Sequence, residues 1–281
     1  MTEAPPLPFR KMNGLGNDFV VFDARKRSLA MDEAKARAIA DRKTGIGCDQ
    51  LIVLEPSAKA DVTMRIWNNE GGEVESCGNA TRCVARLLMD ERGLARVKLA
   101  TKGGILTCSD AGKGLVEADM GPARLEWQDI PMAQQTDTRN FPLPLDGQAL
   151  PASAVSMGNP HCVIFVPDAE AIPLATLGPR IETHPLFPKK VNAEFVSLIG
   201  ENRLRMRVWE RGAGITLACG TGACAAVVAA ARLGKSGRKA EVVLDGGPLL
   251  IEWRESDSHV IMTGPTATVY RGQLDLRQFG A

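Results

Sequence analysis

Short runs dominated by apolar residues recur along the chain, separated by glycine, proline and charged residues. They predict β-strands at residues 19–22, 51–54, 61–67, 162–166, 195–199 and 203–209. Two stretches, 80–89 and 223–233, instead repeat apolar residues at helical spacing, and Gly93 and Gly234 follow them as expected helix ends. The second is so rich in Ala and Val that we expect it to be buried on all sides. A shorter helix is predicted over 33–41, with Asp32 as its N-cap.

This pattern occurs twice, at an offset of 142 residues. The segment Met-Arg-Ile-Trp at 64–67 lies over Met-Arg-Val-Trp at 206–209. Between positions 64 and 79, six of sixteen residues are identical to those 142 positions later, where ordinary residue frequencies would give about one. A repeat of this length indicates a duplicated domain rather than a solenoid.

The repeat predicts an α+β fold of two domains. The first is expected to comprise residues 1–121, completed by a strand within the C-terminal segment 266–281, which has no third copy to join. The second is expected to comprise residues 122–265. Residues 122–151 contain five prolines, which indicates a linker or an edge-strand connection between the copies.

Composition narrows the class of protein. Lys and Arg number 34 against 33 Asp and Glu, a formal charge of +1, so the basic surface typical of proteins that bind nucleic acid or anionic membranes is not expected. Residues 1–11 have no apolar core of a signal peptide. The longest near-apolar stretch, 217–231, is interrupted and too short to span a bilayer. We expect a protein of the reducing cytoplasm, where thiols stay free.

Cysteine is the residue type that carries candidate chemistry. The seven cysteines form no Cys-x-x-Cys pair, and the three histidines are too scattered to complete a zinc site, so no metal is expected. Cys77 and Cys219 occupy equivalent positions in the two copies, each followed by Gly and a predicted helix. Because a helix N-terminus carries free N–H groups and partial positive charge, we expect a lowered pKa for both thiols and a carboxylate site beside them. The remaining cysteines are expected to be packing residues: Cys48, Cys83, Cys108, Cys162 and Cys224.

The duplication also suggests how the two cysteines are used. If the copies face each other across a pseudo-twofold axis, Cys77 and Cys219 can approach one ligand from opposite sides. A thiolate on one face of a carbon and a thiol on the other is the arrangement that inverts a stereocentre. Polar residues also recur at the same offset and suit a small zwitterion, in the pairs Asn17 and Asn159, Gln50 and Asn192, and Asn68 and Glu210.

Six motifs occur in order along the chain: MNGLGNDF at 12–19, GIGCDQ at 45–50, SCGNATRC at 76–83, SMGNPH at 156–161, VNAEF at 191–195, and WERGAG followed by ACGTGAC within 209–224. With them the chain resembles the diaminopimelate epimerase family from about residue 9 to residue 270. The resemblance implies two similar domains, each a β-barrel-like sheet wrapped around a central helix, with the active site in the cleft between them. It also implies interconversion of LL- and meso-2,6-diaminopimelate in lysine biosynthesis, without pyridoxal phosphate or metal. A homodimer is expected.

The resemblance assigns roles by position. Cys77 resembles the family's proton donor and Cys219 its acceptor in the LL-to-meso direction, while His161 and Glu210 resemble residues that support the reactive centre. By itself, a lone histidine beside Pro160 is typical of a loop. The implied substrate-binding set comprises Asn17, Gln50, Asn68, Gly78, Asn79, Asn159, Asn192, Glu210, Arg211, Gly220 and Thr221. Within it, the backbone at 78–79 and 220–221 resembles the donors to the reacting carboxylate, and Arg211 is a natural bidentate partner for the distal one.

Two other functions fit the paired cysteines. A proline or hydroxyproline racemase shares the two-thiol chemistry, but it has no use for a distal clamp of Glu210 and Arg211. A redox switch in a binding protein would instead use Cys77 and Cys219 as a reversible disulfide. A chiral assay separates the first alternative, and thiol titration before and after mild oxidation separates the second.

Overall fold

The computed structural model describes residues 6–75, 77–145 and 147–279. Ser76 of the Cys77 motif and the chain ends of the first predicted domain lie outside the described residues. Contacts divide the chain into two compact units, Met1–Ala118 with Pro265–Ala281, and Asp119–Gly264. The domain limits given by the repeat, 1–121 with 266–281 and 122–265, stay a prediction.

The first unit is a sheet with two helices. Its elements in chain order are β1 Leu7–Gly14, β2 Asn17–Asp23, α1 Glu33–Ala40, β3 Gln50–Glu55, β4 Val62–Asn68, β5 Glu73–Val74, α2 Gly78–Arg92, β6 Arg96–Thr101 and β7 Gly104–Asp110, followed by β8 Leu115–Pro122, which runs past the unit's limit. The C-terminal strand β18 Ala267–Leu274 and the 3-10 turn Leu276–Phe279 return to this unit. As expected for the tail, β18 pairs antiparallel with β1.

The second unit has the same kind of composition. Its elements are β9 Phe141–Leu145, β10 Gln148–Ser156, β11 Pro160–Phe165, α3 Leu174–Glu182, β12 Asn192–Gly200, β13 Arg203–Glu210, β14 Gly214–Ile215, α4 Gly220–Arg232, β15 Lys239–Leu244, β16 Gly247–Trp253 and β17 His259–Pro265. No helix among the described residues is long and apolar enough to cross a bilayer.

Each unit repeats one strand topology. In the first, β1 and β2 are antiparallel, β2 and β3 parallel, β3 and β4 antiparallel, β4 and β6 parallel, and β6 and β7 antiparallel. In the second, β10, β11, β12, β13, β15 and β16 repeat this series of pairings in order. The predicted α+β class and the duplication are confirmed, because sequence positions 142 apart occupy equivalent strands.

The repeated helices are buried within their own units. In α4 every residue from Gly222 to Ala230 is buried, as predicted, and the helix packs against β10, β11, β12, β13, β15 and β16. Helix α2 packs against β1, β6 and β7. Both helices begin two or three residues earlier than predicted, so that Cys77 and Cys219 are themselves the N-cap residues. Gly93 ends α2 in the left-handed conformation, at φ 65°.

The segment between the copies is part of the second unit's fold. The sequence indicates either a linker or an edge-strand connection for residues 122–151. The linker interpretation is wrong, because Ile130, Met132 and Phe141 are buried in the core of the second unit. The other interpretation, an edge-strand connection, is confirmed by β9, which pairs antiparallel with β10. Proline suits an edge strand because it has no backbone N–H and therefore cannot donate to a further strand.

Candidate active site

In the first unit, three predicted polar residues lie at one edge of the sheet. Asn17 is the first residue of β2, Gln50 the first of β3, and Asn68 the last of β4. Because β3 runs parallel to β2 and antiparallel to β4, these ends coincide, and Gln50 is the direct cross-strand partner of Asn68. Asn68 Oδ1 accepts hydrogen bonds from the amides of Gly72 and Glu70, at 2.8 and 3.2 Å, which shapes the turn after β4.

Cys77 lies above this edge at the start of α2. Its thiol donates to Asn17 Oδ1 at a distance of 3.7 Å, and Asn79 Nδ2 donates to the same oxygen at 3.4 Å. The cysteine is half-buried. Asn79 is buried, and its Oδ1 accepts a hydrogen bond of 2.8 Å from Arg82, which is fully buried in the next turn. The structure therefore brings Asn17, Cys77 and Asn79 together, as predicted.

A charged network that the sequence analysis did not identify holds Asn17. Asp49 Oδ2 accepts from Asn17 Nδ2 at 2.9 Å, which directs the other amide atom, Oδ1, toward the cysteine. Arg42 donates to Asp49 and to Asp18, both at 2.7 Å. Lys11, itself buried, forms an ion pair with Asp18 at 2.6 Å. Burial would raise the pKa of Asp18, but hydrogen bonds from Arg42 and Lys11 hold this pKa well below its usual value.

The second unit places its polar residues at the equivalent edge. Asn159 precedes β11, Asn192 is the first residue of β12, and Glu210 is the last of β13. Asn192 is buried, and both ends of its amide bind backbone: Nδ2 donates to Pro160 O at 2.8 Å, and Oδ1 accepts from Arg211 N at 2.9 Å. Asn192 thus holds the turn that carries Arg211, whose side chain is exposed and donates to Lys189 O.

Cys219 stands at the start of α4, where its sulfur has several polar neighbours. Sγ accepts from the amide of Gly222 at 3.4 Å and lies 3.6 Å from the hydroxyl of Thr221. Asn159 Nδ2 donates to that hydroxyl at 3.2 Å. Glu210 is half-buried and accepts a hydrogen bond from Thr216. Burial raises the pKa of Glu210, and hydrogen bonds from Thr216 and Cys219 oppose the rise.

The expected lowering of the thiol pKa is wrong for Cys219. Burial raises the pKa of this thiol well above its usual value, and the nearby carboxylate of Glu210 raises it further. The positive end of α4 and the hydrogen bonds from Thr221 and Gly222 act in the opposite direction but do not prevail. Sequence reasoning counted the helix end and not the desolvation, which favours the neutral thiol.

His161 lies in a strand and not in a loop. It belongs to β11, is fully buried, and is the register partner of Asn192. Its Nδ1 is 2.6 Å from Glu194 Oε1 and its Nε2 is 3.0 Å from Asn159 Oδ1. Glu194 is fully buried as well, and burial raises the pKa of its carboxyl group against the opposing effect of His161. Sequence reasoning missed Glu194, although strand alternation puts it on the same face as Asn192.

The other five cysteines are buried in the cores. Burial raises the pKa of Cys48 and of Cys83 to about 12, and it also raises the pKa of Cys162. Cys77 is half-buried, whereas the other six cysteines are buried, so Cys77 is the most accessible to solvent of the seven.

Comparison with known proteins identifies the family. A family model described as diaminopimelate epimerase matches residues 9–126 and 153–269. The diaminopimelate epimerase of Phenylobacterium zucineum is 54% identical over 277 residues, covering 98% of this chain and all of that protein. The chain belongs to the diaminopimelate epimerase family. A second member, from Rhodospirillum centenum, is 55% identical over 268 residues, covering 95% of this chain and 91% of that protein.

Family membership confirms the predicted resemblance and the enzyme class, an isomerase. The fold extends beyond the family. A crystal structure of a hydroxyproline epimerase from Agrobacterium vitis, with bound trans-4-hydroxy-L-proline, superimposes with a TM-score of 0.69 at 15% identity, covering all of this chain and 96% of that one. At that identity the match shows a shared fold alone. The two segments matched in the diaminopimelate epimerase family model follow the two copies of the repeat.

Proposed function

We propose that this chain interconverts LL- and meso-2,6-diaminopimelate in lysine biosynthesis, with Cys77 and Cys219 as its two acid–base groups. The observation that carries the proposal is that each copy of the repeat puts a cysteine at the N-cap of its buried helix, beside polar strand ends. The other five cysteines are buried in the cores. Membership of the diaminopimelate epimerase family supports the substrate.

The chemistry requires charge stabilisation before proton transfer. A hydrogen on the carbon next to a carboxylate is a weak acid, so negative charge that develops on the carboxylate must meet preorganised donors. The amides of Gly78, Asn79, Gly220 and Thr221 lie in the first turns of α2 and α4, where backbone N–H groups lack helical acceptors. In this proposal they bind the reacting carboxylate.

The thiols then exchange protons with the α-carbon. In the LL-to-meso direction Cys219, as a thiolate, removes the α-hydrogen, and Cys77, as a thiol, delivers a proton to the opposite face of the carbon. The roles exchange in the reverse direction. Because the pKa of Cys219 is raised, its proton must leave before it acts as a base. The neighbouring Glu210 carboxylate, hydrogen-bonded to Thr216, is placed to receive it.

The remaining polar residues bind the substrate's two amino-acid ends. Arg211 binds the distal carboxylate, and an analogue without that end leaves the Arg211 guanidinium without this partner. Glu210 accepts a hydrogen bond from an ammonium group of the substrate. Asn17, Gln50, Asn68, Asn159 and Asn192 complete the set. Gln50 suits a ligand contact because its Oε1 is buried and has no hydrogen-bond partner among the described residues.

We also propose a small-molecule substrate and a cytoplasmic location for the protein. The substrate is a small molecule, and the near-neutral charge balance offers no broad basic surface for nucleic acid or anionic membranes. Two working thiols need a reducing compartment, so we place the protein in the cytoplasm. A homodimer stays a prediction, which sedimentation at several protein concentrations tests.

Incubation of LL-diaminopimelate with the protein in D₂O tests the reaction. We expect deuterium at one α-carbon with inversion there, and no racemisation of proline. Cys77→Ala and Cys219→Ala are each expected to reduce turnover by at least about 100-fold, the contribution of a positioned acid or base. Cys108→Ala, at a buried position in β7, is the matched control and should keep its turnover. Absence of exchange at saturating substrate, or racemisation of proline instead, would contradict the proposal.

A further inference from the structure

The buried pair of His161 and Glu194 exists in only one copy of the repeat. At the offset of 142, His161 corresponds to Phe19 and Glu194 to Ile52, both of them fully buried. The strand pairing is equivalent, since β2 and β3 are parallel in the first unit as β11 and β12 are in the second. The fold therefore accepts apolar residues at these positions, where a buried polar pair offers no reliable gain in stability.

The hydrogen bonds around His161 fix where its protons are. Asn159 donates from Nδ2 to Thr221, so its acceptor oxygen, Oδ1, faces His161 Nε2 at 3.0 Å. Two acceptors cannot bond to each other, so Nε2 carries a hydrogen. The second ring nitrogen, Nδ1, then shares one proton with Glu194 Oε1 across 2.6 Å.

The surroundings of Glu194 indicate that the pair is neutral overall. Its second oxygen, Oε2, is buried and receives no hydrogen bond from any other described residue. An ionised carboxylate in that position would be costly, whereas a neutral acid that donates from Oε1 leaves only a carbonyl-like oxygen unpaired. Burial acts in the same direction, because it raises the pKa of Glu194.

The same donor-to-acceptor direction of hydrogen bonds continues through Thr221 to the sulfur of Cys219. Thr221 Oγ1 accepts from Asn159, which leaves its own hydrogen free to point at Cys219 Sγ, 3.6 Å away. A hydroxyl that donates to the sulfur stabilises a thiolate. The amide of Gly222 donates to the same atom.

We propose that Glu194 is a positioning residue which, as a net-neutral pair with His161, directs a chain of hydrogen bonds through Asn159 and Thr221 onto the Cys219 sulfur. The inference rests on the proposed function, in which Cys219 is one of the two bases. Glu194 itself acts only through His161.

Nuclear magnetic resonance of ¹⁵N-labelled histidine tests this without substrate. The chain contains three histidines, so His184 and His259 serve as internal references. We expect His161 to keep a hydrogen on Nε2 in the wild type and in Glu194→Gln, whose amide can donate to Nδ1. A bare Nε2 in the wild type would overturn the proposal, because it would reverse every hydrogen bond toward Cys219.

Turnover provides the second readout. Glu194→Ile, which copies the first unit's residue, should fold but reduce kcat by about 10- to 100-fold, the range for a histidine that loses its orienting carboxylate at a metal site. Its KM should change little, and Glu194→Gln should stay within about threefold of the wild-type kcat. Ser197→Ala, which removes a buried hydroxyl of the same strand, is the control and should retain turnover.

Wild-type kcat in Glu194→Ile, or an equal loss in Glu194→Gln, would overturn the proposal. Failure of the proposed function itself would show differently, as a wild type that exchanges no deuterium.

Discussion

The two candidate catalytic cysteines have the same backbone role and different surroundings. Both are N-cap residues in an extended conformation, with φ of −147° at Cys77 and −110° at Cys219. Cys77 faces the amide oxygen of Asn17, whereas burial raises the pKa of Cys219 and the nearby carboxylate of Glu210 raises it further. The two equivalent positions therefore place their thiols in different surroundings, one beside an amide and one beside a carboxylate.

Gly222 permits the close packing around Cys219. A Cβ atom at this position would lie 2.9 Å from Glu194 Oε1 and 3.2 Å from Cys219 Sγ. We expect Gly222→Ala to reduce kcat by at least about tenfold, because the displaced carboxylate and sulfur lose their alignment. Thermal unfolding should change little, since alanine gains up to about 1 kcal/mol in helix propensity that offsets the clash. Turnover at the wild-type level would show that this packing does not matter for the reaction.

At the scale of elements, strand ends and the loop before β3 hold the polar residues of the first unit in place. In the first unit, Lys11 of β1 and Asp18 of β2 form an ion pair, and Lys11 also donates to Gly47 O in the loop before β3. Arg42 joins Asp18 to Asp49 in the same loop. These bonds hold Asp49 where it orients Asn17, so the edge depends on contacts between residues about 30 positions apart.

The ion pair gives a stability that depends on pH. Asp18→Asn should lower the free energy of unfolding at pH 7 by about 2 kcal/mol, between the values for exposed and buried pairs. The pKa of Asp18 is lowered in the folded protein. The stability of the wild type relative to Asp18→Asn is therefore fully present above about pH 3.9, the pKa of an aspartate in the unfolded chain. This difference is lost as the pH falls through the lower pKa of the folded state. Urea unfolding at pH 7 and pH 3 measures it. Glu91→Gln, in an exposed pair with Arg25, should change stability by less than about 0.5 kcal/mol. An Asp18→Asn deficit that stays constant with pH would contradict this account.

The pairing of β18 with β1 depends on one close contact. Gly272 is the register partner of Phe9, and a Cβ atom there would lie 2.5 Å from the Phe9 ring. Gly272→Ala should destabilise the protein by about 1–3 kcal/mol through overpacking, measured by urea unfolding. Gly200→Ala is the control, because its Cβ would meet Arg203 only at an ordinary 3.6 Å. Equal stability of the two variants would contradict the prediction.

At the scale of the whole molecule, one topology serves two copies with different polar content. The strand pairing is the same, while Phe19 and Ile52 of the first copy correspond to His161 and Glu194 of the second. Duplication thus provides equivalent positions in the two copies. Different residues at those positions give Cys77 and Cys219 different polar neighbours.

The seven cysteines should react in an order set by burial. Alkylation of the native protein should modify Cys77 first, at least about tenfold faster than the others, because only an accessible thiolate reacts. Cys219 is 4% exposed, and the remaining five are fully buried. Peptide mass spectrometry at timed intervals measures the order, and labelling in urea, where all seven should react, is the control. Equal rates for Cys77 and any core cysteine would contradict it.

Much of the fold followed from local pattern, and less of the site did. The strand runs, the helices after Cys77 and Cys219, and the return of β18 were predictable because alternation and helical spacing reflect which face is buried. Asp49 and Glu194 were not identified, since nothing beside them in sequence marks their partners. The burial of Arg82 was equally hidden, because a lone arginine on a helix is ordinarily exposed.

The sequence by itself determined the repeat, the order of elements and the equivalence of Cys77 and Cys219, because these depend on residue identity and spacing. Only the tertiary structure decided that Glu194 meets His161, that Asp49 orients Asn17, and that burial raises the pKa of Cys219. The physical reason is that desolvation and the direction of hydrogen bonds depend on residues about 30 or more positions apart in sequence, which the fold brings together. No local sequence pattern indicates these contacts.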